Sequence, residues 1–298
     1  MELRAPRLDE LEPLTDLINR DSDELYGERE VSTDSMRMWL TGPKLNPETD
    51  IRVAVVDGRF RGYVDVDPEP EPIYWVDLRV PLSEPDDIRL ALLDWVENRA
   101  RERGGELLRV RTASTDEPIK RLLESRGLRV IRHFYRMRIE LDREPEEPEW
   151  ADGLELRSAT PDEGERVYEA HQESFEDHWE YVRIPFPEWK HWLMGEGYDP
   201  SLWFLAEENG EIAGLSLCRE QDGEKGVGWV SVLGVREPWR RKGIGRALLL
   251  HSFHEFRRRG FHAAALGVDA DSLTGANRLY ESAGMRVIRR SDVYEESL

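Results

Sequence analysis

The chain has 298 residues, enough for two ordinary domains, each with its own core. Its 62 acidic residues against 42 basic ones leave a net charge of −20, which argues against a nucleic-acid or anionic-membrane partner. A single cysteine, Cys218, excludes a disulfide framework and a multi-cysteine zinc centre, and no apolar run reaches the ~18 residues of a membrane span or forms a signal-peptide core. A soluble cytoplasmic protein with no membrane partner is expected.

In chain order, Glu2-Leu-Arg-Ala-Pro6 reads as a short strand ahead of an acidic helical stretch. Val53-Ala-Val-Val-Asp57-Gly58 and the residues up to Gly62 read as a hairpin, because an Asp-Gly turn needs positive φ. The loop Val80–Ile88 follows, with no glycine and no cation. Ser83-x-x-Asp86 has the form of a capping box, and Asp86 and Asp87 at the positive helix end would repel a phosphate. A long helix through Leu92-Leu-Asp-Trp95 stops at Arg103-Gly104, and Arg121-Leu-Leu-Glu-Ser-Arg-Gly-Leu-Arg-Val-Ile-Arg132 reads as helix, turn and strand. Asp142 to Asp152, acidic and with two prolines, reads as a linker.

The same plan then returns. Glu155-Leu-Arg-Ser-Ala159 answers the first strand, and Phe204-Leu-Ala-Glu207 through Asn209-Gly210 to Gly214 answers the hairpin. Leu248-Leu-Leu-His251 to Arg259-Gly260 answers the long helix, and Arg278-Leu-Tyr-Glu-Ser-Ala-Gly-Met-Arg-Val-Ile-Arg289 answers the last motif. The offsets of 153, 152, 156 and 157 come in the same order, so a tandem duplication is the economical explanation. The expected division is 1–142, a linker at 143–152, and 153–298. Each half alternates strands and helices, an α/β arrangement with a mixed sheet.

The halves differ after the central strand. In the second, Gly228-Trp-Val-Ser-Val-Leu-Gly-Val235 is a strand pattern, and the loop behind it carries Arg240, Arg241, Lys242 and Arg246 around Gly243 and Gly245. Glycines let backbone N–H groups turn inward, and the helix that starts there points its positive end at the same spot. Such a loop accepts a pyrophosphate. Its spacing is neither that of a P-loop nor that of a dinucleotide fold, and standing alone it would also fit a basic surface turn.

Arg240-x-x-Gly243-x-Gly245, together with Leu279-Tyr-Glu-x-x-Gly284, resembles the Gcn5-related N-acetyltransferases (GNAT), and the layout of both halves matches that family. The Phe175-x-Asp-His-Trp179 portion resembles its mycothiol synthase-like actinobacterial subgroup. The resemblance implies two tandem acyl-CoA N-acyltransferase domains, the first degenerate, in a monomer packed like a pseudo-dimer. It implies acetyl-CoA as co-substrate, a small amine as acceptor, direct attack in a ternary complex and no metal. Leu233, Gly234 and Val235 would pair with the pantetheine, and the loop Arg240, Arg241, Lys242, Gly243, Ile244, Gly245 and Arg246 would hold the pyrophosphate. Ser272 would lie near the pantetheine, where the family usually has asparagine, and Met285 stands where phenylalanine is usual.

By the same resemblance Tyr280 would protonate the leaving thiolate, since a phenol keeps its proton at neutral pH. A backbone N–H near Leu233 would hold the oxyanion. For the base, Glu173, Glu176, Asp177, His178 and Glu220 stay open, because Trp229 and Ser231 occupy the strand positions where a glutamate is often found. In the first half Leu123 stands at the tyrosine position and cannot donate a proton. The six aromatic residues between Phe175 and Trp192 read either as a lid on the acceptor pocket or as a satellite core. His171, His178, His251 and His254 read as structural or surface residues, and Cys218 as a buried thiol. The competing class is a non-catalytic acyl-CoA-binding or interaction protein that keeps the fold.

Overall fold

A computed structural model describes residues 1–68, 72–195, 197–272 and 275–298, and in it the chain separates into two units. The first comprises Met1–Phe134 with the short pieces Asp222–Glu224 and Arg290–Leu298; the second comprises Tyr135–Gln221 and Lys225–Arg289. Among the described residues no helix is long and apolar enough to cross a membrane.

The first unit runs β1 (Glu2–Arg4), α1 (Leu11–Tyr26), α2 (Thr33–Leu40), α3 (Pro47–Asp50), β2 (Ile51–Val56), β3 (Arg59–Pro68), β4 (Ile73–Arg79), α4 (Asp86–Glu102), β5 (Leu107–Ala113), α5 (Glu117–Ser125) and into β6 (Arg129–Glu140). The second runs β7 (Glu155–Ser158), α6 (Gly164–Phe175), α7 (Phe186–Leu193), β8 (Trp203–Glu208), β9 (Glu211–Glu220), β10 (Val227–Val235), α8 (Ile244–Arg258), β11 (Ala263–Asp269), α9 (Ala276–Ser282) and into β12 (Arg286–Ser297). Both hairpins turn on residues with positive φ, Asp57-Gly58 and Asn209-Gly210, as their sequences require.

Each sheet is mixed. In the first unit the strand order is β1, β2, β3, β4, β5, with β4 and β5 parallel, and the Ser291–Ser297 part of β12 pairs antiparallel to β5. The second has the order β6, β11, β10, β9, β8, β7, with β10 and β11 parallel. The alternation of burial along β4 puts every second side chain against α4, whereas in β10 Gly228 and Val230 face α8 and, after a one-residue shift in register, Val232 and Gly234 face α6. On the face of the long helices Leu92, Leu93 and Val96 of α4 meet Val64, Val76 and Val110, while Leu248, Leu249 and Phe253 of α8 meet Ala213, Val230 and Ala264. Helix and strand approach closely at Gly228, where an added Cβ would lie 2.4 Å from the Phe256 ring.

On the other face of the first sheet, Ile51, Val53 and Tyr63 pack against Leu14, Leu17 and Ile18 of α1 and Met36 and Leu40 of α2, with a buried polar patch beside them. Asp65 of β3 lies directly opposite Asp77 of β4 and accepts from Tyr63 Oη (2.6 Å) and Trp39 Nε1 (3.0 Å). Burial, then the Asp77 charge, pushes its carboxyl up to about 8. An unfolded aspartate loses its proton near pH ~4. Between those values the folded chain keeps a proton that the unfolded chain releases, so stability falls as pH rises, by about 1.4 kcal/mol per pH unit for such a group. Asp65→Asn keeps an oxygen for both donors and removes the titration. It should raise the melting temperature more at pH 8 than at pH 5; thermal unfolding at the two pH values decides, and an equal or smaller gain at pH 8 contradicts the assignment.

Candidate active site

In the second unit the parallel strands part. Pairing of β10 with β11 runs from Val227↔Ala263 to Trp229↔Ala265 and stops, although β10 continues to Val235 and β11 to Asp269. A bulge helps to turn the strand away: Val230 pairs with Cys218 and Val232 with Leu217, leaving Ser231 extra. Beyond it Leu233, Gly234 and Val235 stay paired on one side, to Ser216, Leu215 and Gly214 of β9. Their edge towards β11 has left the ladder, so its amides and carbonyls need other partners. Gly234 is required by packing, since a Cβ there would lie 2.8 Å from the Ser174 Cβ and 3.1 Å from the Phe175 ring.

The loop after β10 curls. Arg241 and Gly243 both take left-handed φ values, +63° and +79°, and Gly243 is the residue from which α8 starts. A run of backbone N–H groups in such alternating conformations forms a concave anion site, here continuous with the mouth of a 15-residue helix. A left-handed arginine costs about 1–2 kcal/mol, which fits a backbone shaped for a ligand. Ile244 is buried, 3.0 Å from the Cβ position of Gly214, so it offers only its amide; Gly245 lies beside Val235 and Leu279.

The four cations divide into two pairs. Arg241 and Lys242 are exposed and form no ion pair among the described residues. Arg240 is committed. Its guanidinium grips Asp177 with both terminal nitrogens (2.6 and 2.9 Å) and also donates to the carbonyls of Val235 and Ser174, tying the end of α6 to the end of β10. Arg246 is held by Glu146 at 2.5 Å. Neither partner was visible in the sequence, because they stand 63 and 100 residues away.

Tyr280 of α9 is 8 % exposed and sits in the apolar cluster with Val230, Ile244, Leu266 and Val268. Its hydroxyl has no hydrogen-bond partner among the described residues, and burial alone pushes its pKa up to about 12, so the proton stays on at neutral pH. The β11–α9 connection is tied by Asn277, which donates to the carbonyls of Asp269 (3.1 Å) and Ala270 (2.8 Å), a role that no local sequence pattern announces. Ser272 lies in that connection, its amide donating to Asp269 and its carbonyl accepting from Gly275. Leu273 and Thr274, between them, are outside the described residues.

The structure narrows the base candidates. Asp177 is held below the usual carboxylate range by Arg240, Glu173 is paired with Arg236, and Glu220 accepts from the Gly226 amide. Glu176 is exposed. His178 lies with its ring 4.4 Å from that of Phe175, and desolvation lowers its pKa. His171 is structural, as expected: it accepts from Trp189 Nε1 (2.6 Å), and burial pushes it down to about 4. Trp189, fully buried among Tyr168, Phe186 and Trp203, makes this part of the aromatic segment a satellite core. Cys218 is a buried thiol pushed up to about 11. His251 packs against Phe204, whereas His254 comes within 4.8 Å of the ligand atoms of Glu144 and Glu147, two exposed carboxylates from the segment between the halves.

The loop of the first unit is built the opposite way. No residue between Val80 and Ile88 has positive φ, and Pro85, which lacks an N–H, precedes α4. The expected Ser83–Asp86 capping box does not form. Ser83 instead gives its amide and hydroxyl to Glu24 (2.7 and 2.6 Å), and the helix start has no side-chain cap. Buried Arg89 fills the loop from within, donating to the carbonyls of Val80, Pro81 and Glu84. Carbonyls facing a cation cannot receive a phosphate.

Comparison with known proteins agrees with this geometry. The acetyltransferase (GNAT) family model matches residues 164–285. Mycothiol acetyltransferases are similar to the chain: that of Thermobispora bispora is 34% identical over 169 residues, 55% of this chain and 57% of the relative, and that of Streptomyces avermitilis is 28% identical over 182, 60% and 58%. The match thus spans under two thirds of those relatives. Among solved structures, a tandem GNAT protein from the clavulanic acid biosynthesis pathway shares the fold at 16% identity, with a TM-score of 0.80 over 99% of this chain and 98% of that one. A GCN5-related N-acetyltransferase from Sphaerobacter thermophilus is 30% identical, covering 99% of this chain and 95% of that one, with a TM-score of 0.81. The chain is therefore a tandem-domain member of the GCN5-related N-acetyltransferase family.

Proposed function

We propose that the chain transfers acetyl from acetyl-CoA to a small primary amine by direct attack in a ternary complex, at the β10–α8 cleft of its second domain. The observation that carries this reading is the parted strand pair ending in a left-handed, cationic loop at a helix mouth. The free edge of Leu233, Gly234 and Val235 pairs with the pantetheine amides as an added strand would. The amides of Arg241 to Gly245, with the side chains of Arg241 and Lys242, hold the pyrophosphate. Arg240 and Arg246 act at one remove, fixing the loop to α6 and to the segment before β7. Ser272 borders the pantetheine arm.

As the amine nitrogen forms its bond to the carbonyl carbon, the Leu233 N–H supports the developing oxyanion. The carbon–sulfur bond then breaks, and Tyr280 passes its phenolic proton to the departing sulfur. The proton lost by the amine goes to solvent or a nearby base, and the tyrosinate recovers one from water. The test is release of free thiol when acetyl-CoA is mixed with a panel of primary amines, alongside calorimetric titration with CoA. Thiol release above the no-amine rate supports the reading. Tight CoA binding with no amine-dependent release from a broad panel would favour a non-catalytic acyl-CoA-binding protein.

A further inference from the structure

The first unit keeps the parting of strands while changing its lining. β4 and β5 pair from Ile73↔Leu107 to Asp77↔Arg111 and no further. Both strands run two residues beyond the last pair, to Arg79 and Ala113, while the other edge of β5 stays paired with β12 throughout, from Leu107↔Ser297 to Ala113↔Ser291. The last pair before the gap is thus Asp77↔Arg111 here and Trp229↔Ala265 in the second unit. Where the second cleft has a methyl group at its root, the first has a guanidinium.

Arg111 is held but not neutralised. Its Nε donates to Ser291 Oγ (3.1 Å), and the guanidinium carbon lies 4.4 Å from the Phe134 ring centroid. Among the described residues its terminal nitrogens have no hydrogen-bond partner, and no carboxylate lies within ion-pair distance. The residue is open to solvent and stands at the last β4–β5 pair, where the two strands stop pairing. Neighbouring guanidinium groups are engaged: Arg79 holds Asp77 (2.6 Å) and Glu30 (3.0 Å) and lies 3.8 Å from Asp21, and Arg109 holds Glu295 (2.7 Å). Burial pushes Asp21 up to about 7 and Asp65 up to about 8, so Asp65 is largely protonated and Asp21 about half protonated at neutrality. The charge that Asp21 keeps, with those of Asp77 and Glu30, faces Arg79.

We infer that the gap between β4 and β5 binds a small organic anion, through a carboxylate or phosphate group seated on the Arg111 guanidinium, and does not take the arm of an acyl-CoA. A guanidinium stacked on an aromatic ring keeps a planar two-nitrogen edge for such a group. An acyl-CoA arm is excluded twice: by the charge at the root of the cleft, and by a loop whose carbonyls surround Arg89 and whose helix begins with Asp86 and Asp87. The inference does not depend on catalysis in the second unit.

The full-length chain is first saturated with CoA, so that the cationic loop of the second unit is filled. It is then titrated calorimetrically, at constant ionic strength, with inorganic phosphate in one arm and succinate in the other, with succinamide as the neutral control. Saturable binding in at least one arm is expected, and the arm that responds identifies the anion. Arg111→Gln should weaken it at least ~10-fold, the loss of one charge-assisted pair. Arg111→Lys keeps the charge and should retain part of the binding, so a misfolded glutamine variant leaves the question decidable. The idea is overturned if neither anion binds the CoA-saturated chain, if a folded Arg111→Gln binds like wild type, if Arg111→Lys binds neither anion, or if CoA itself binds twice per chain.

Discussion

Replacing Tyr280 by phenylalanine should lower kcat for acetyl transfer by about 10²- to 10³-fold while leaving CoA binding intact. The ring stays, so the apolar cluster around Val230, Ile244, Leu266 and Val268 keeps its volume. Only the hydroxyl goes, and it has no partner to leave behind among the described residues. That hydroxyl is not among the buried atoms left without a partner, so it reaches solvent and the phenylalanine variant should be about as stable as wild type. A capping tyrosine would instead lose stability. With a pKa pushed up to about 12, the phenol also keeps its proton throughout the neutral range, so the rate should show no alkaline loss from this group below about pH 10. Steady-state kinetics and a melting curve on the same variant separate the roles. Wild-type turnover would remove Tyr280 from the chemistry, and a lower melting temperature would make it a structural residue.

The features readable from the sequence were those written in short stretches of chain. The strand Val227–Val235, the loop behind it and the helix that follows are contiguous, and their glycines and β-branched residues impose the local backbone. The two hairpins were equally plain, because Asp57-Gly58 and Asn209-Gly210 permit little else. What stayed hidden was long-range pairing. Asp177 looked like one more acid on a helix, yet it pins Arg240 from 63 residues away. Four arginines and lysines in one loop looked equivalent, and the structure makes two of them braces. Ser83-x-x-Asp86 had the spacing of a cap but not its use, because Pro85 starts the helix and Glu24 takes the serine. The unpaired state of Arg111 depends on Ser291 and Phe134, one of them 180 residues distant, and no local pattern announces it.

Gly243→Asp should abolish the stabilisation that CoA confers, with little change in the stability of the unliganded protein. No heavy atom lies within 4 Å of a Cβ built at Gly243, so the new side chain meets open space. The left-handed backbone, φ +79°, costs an aspartate about 1 kcal/mol, and aspartate tolerates that region better than most residues. Against this, its carboxylate can accept from the first amides of α8 as an N-cap, returning about the same amount. The fold therefore survives while the amides meant for a phosphate are taken and a negative charge stands at the helix mouth. Losing two charge-assisted hydrogen bonds of about 1.5–3 kcal/mol each predicts a CoA affinity lower by at least ~100-fold. Gly243→Ala separates the contributions, since it carries the backbone strain without the charge and should lose far less. Melting curves with and without CoA, together with calorimetric titration, decide the matter. An unchanged CoA response in Gly243→Asp would mean that the diphosphate rests elsewhere. The first domain already carries the same kind of change: Asp86 and Asp87 open α4, the glycine is gone, and Arg89 occupies the loop. If a single carboxylate silences the second domain's loop, the first domain's loss of the same ligand has a sufficient physical cause in three residues.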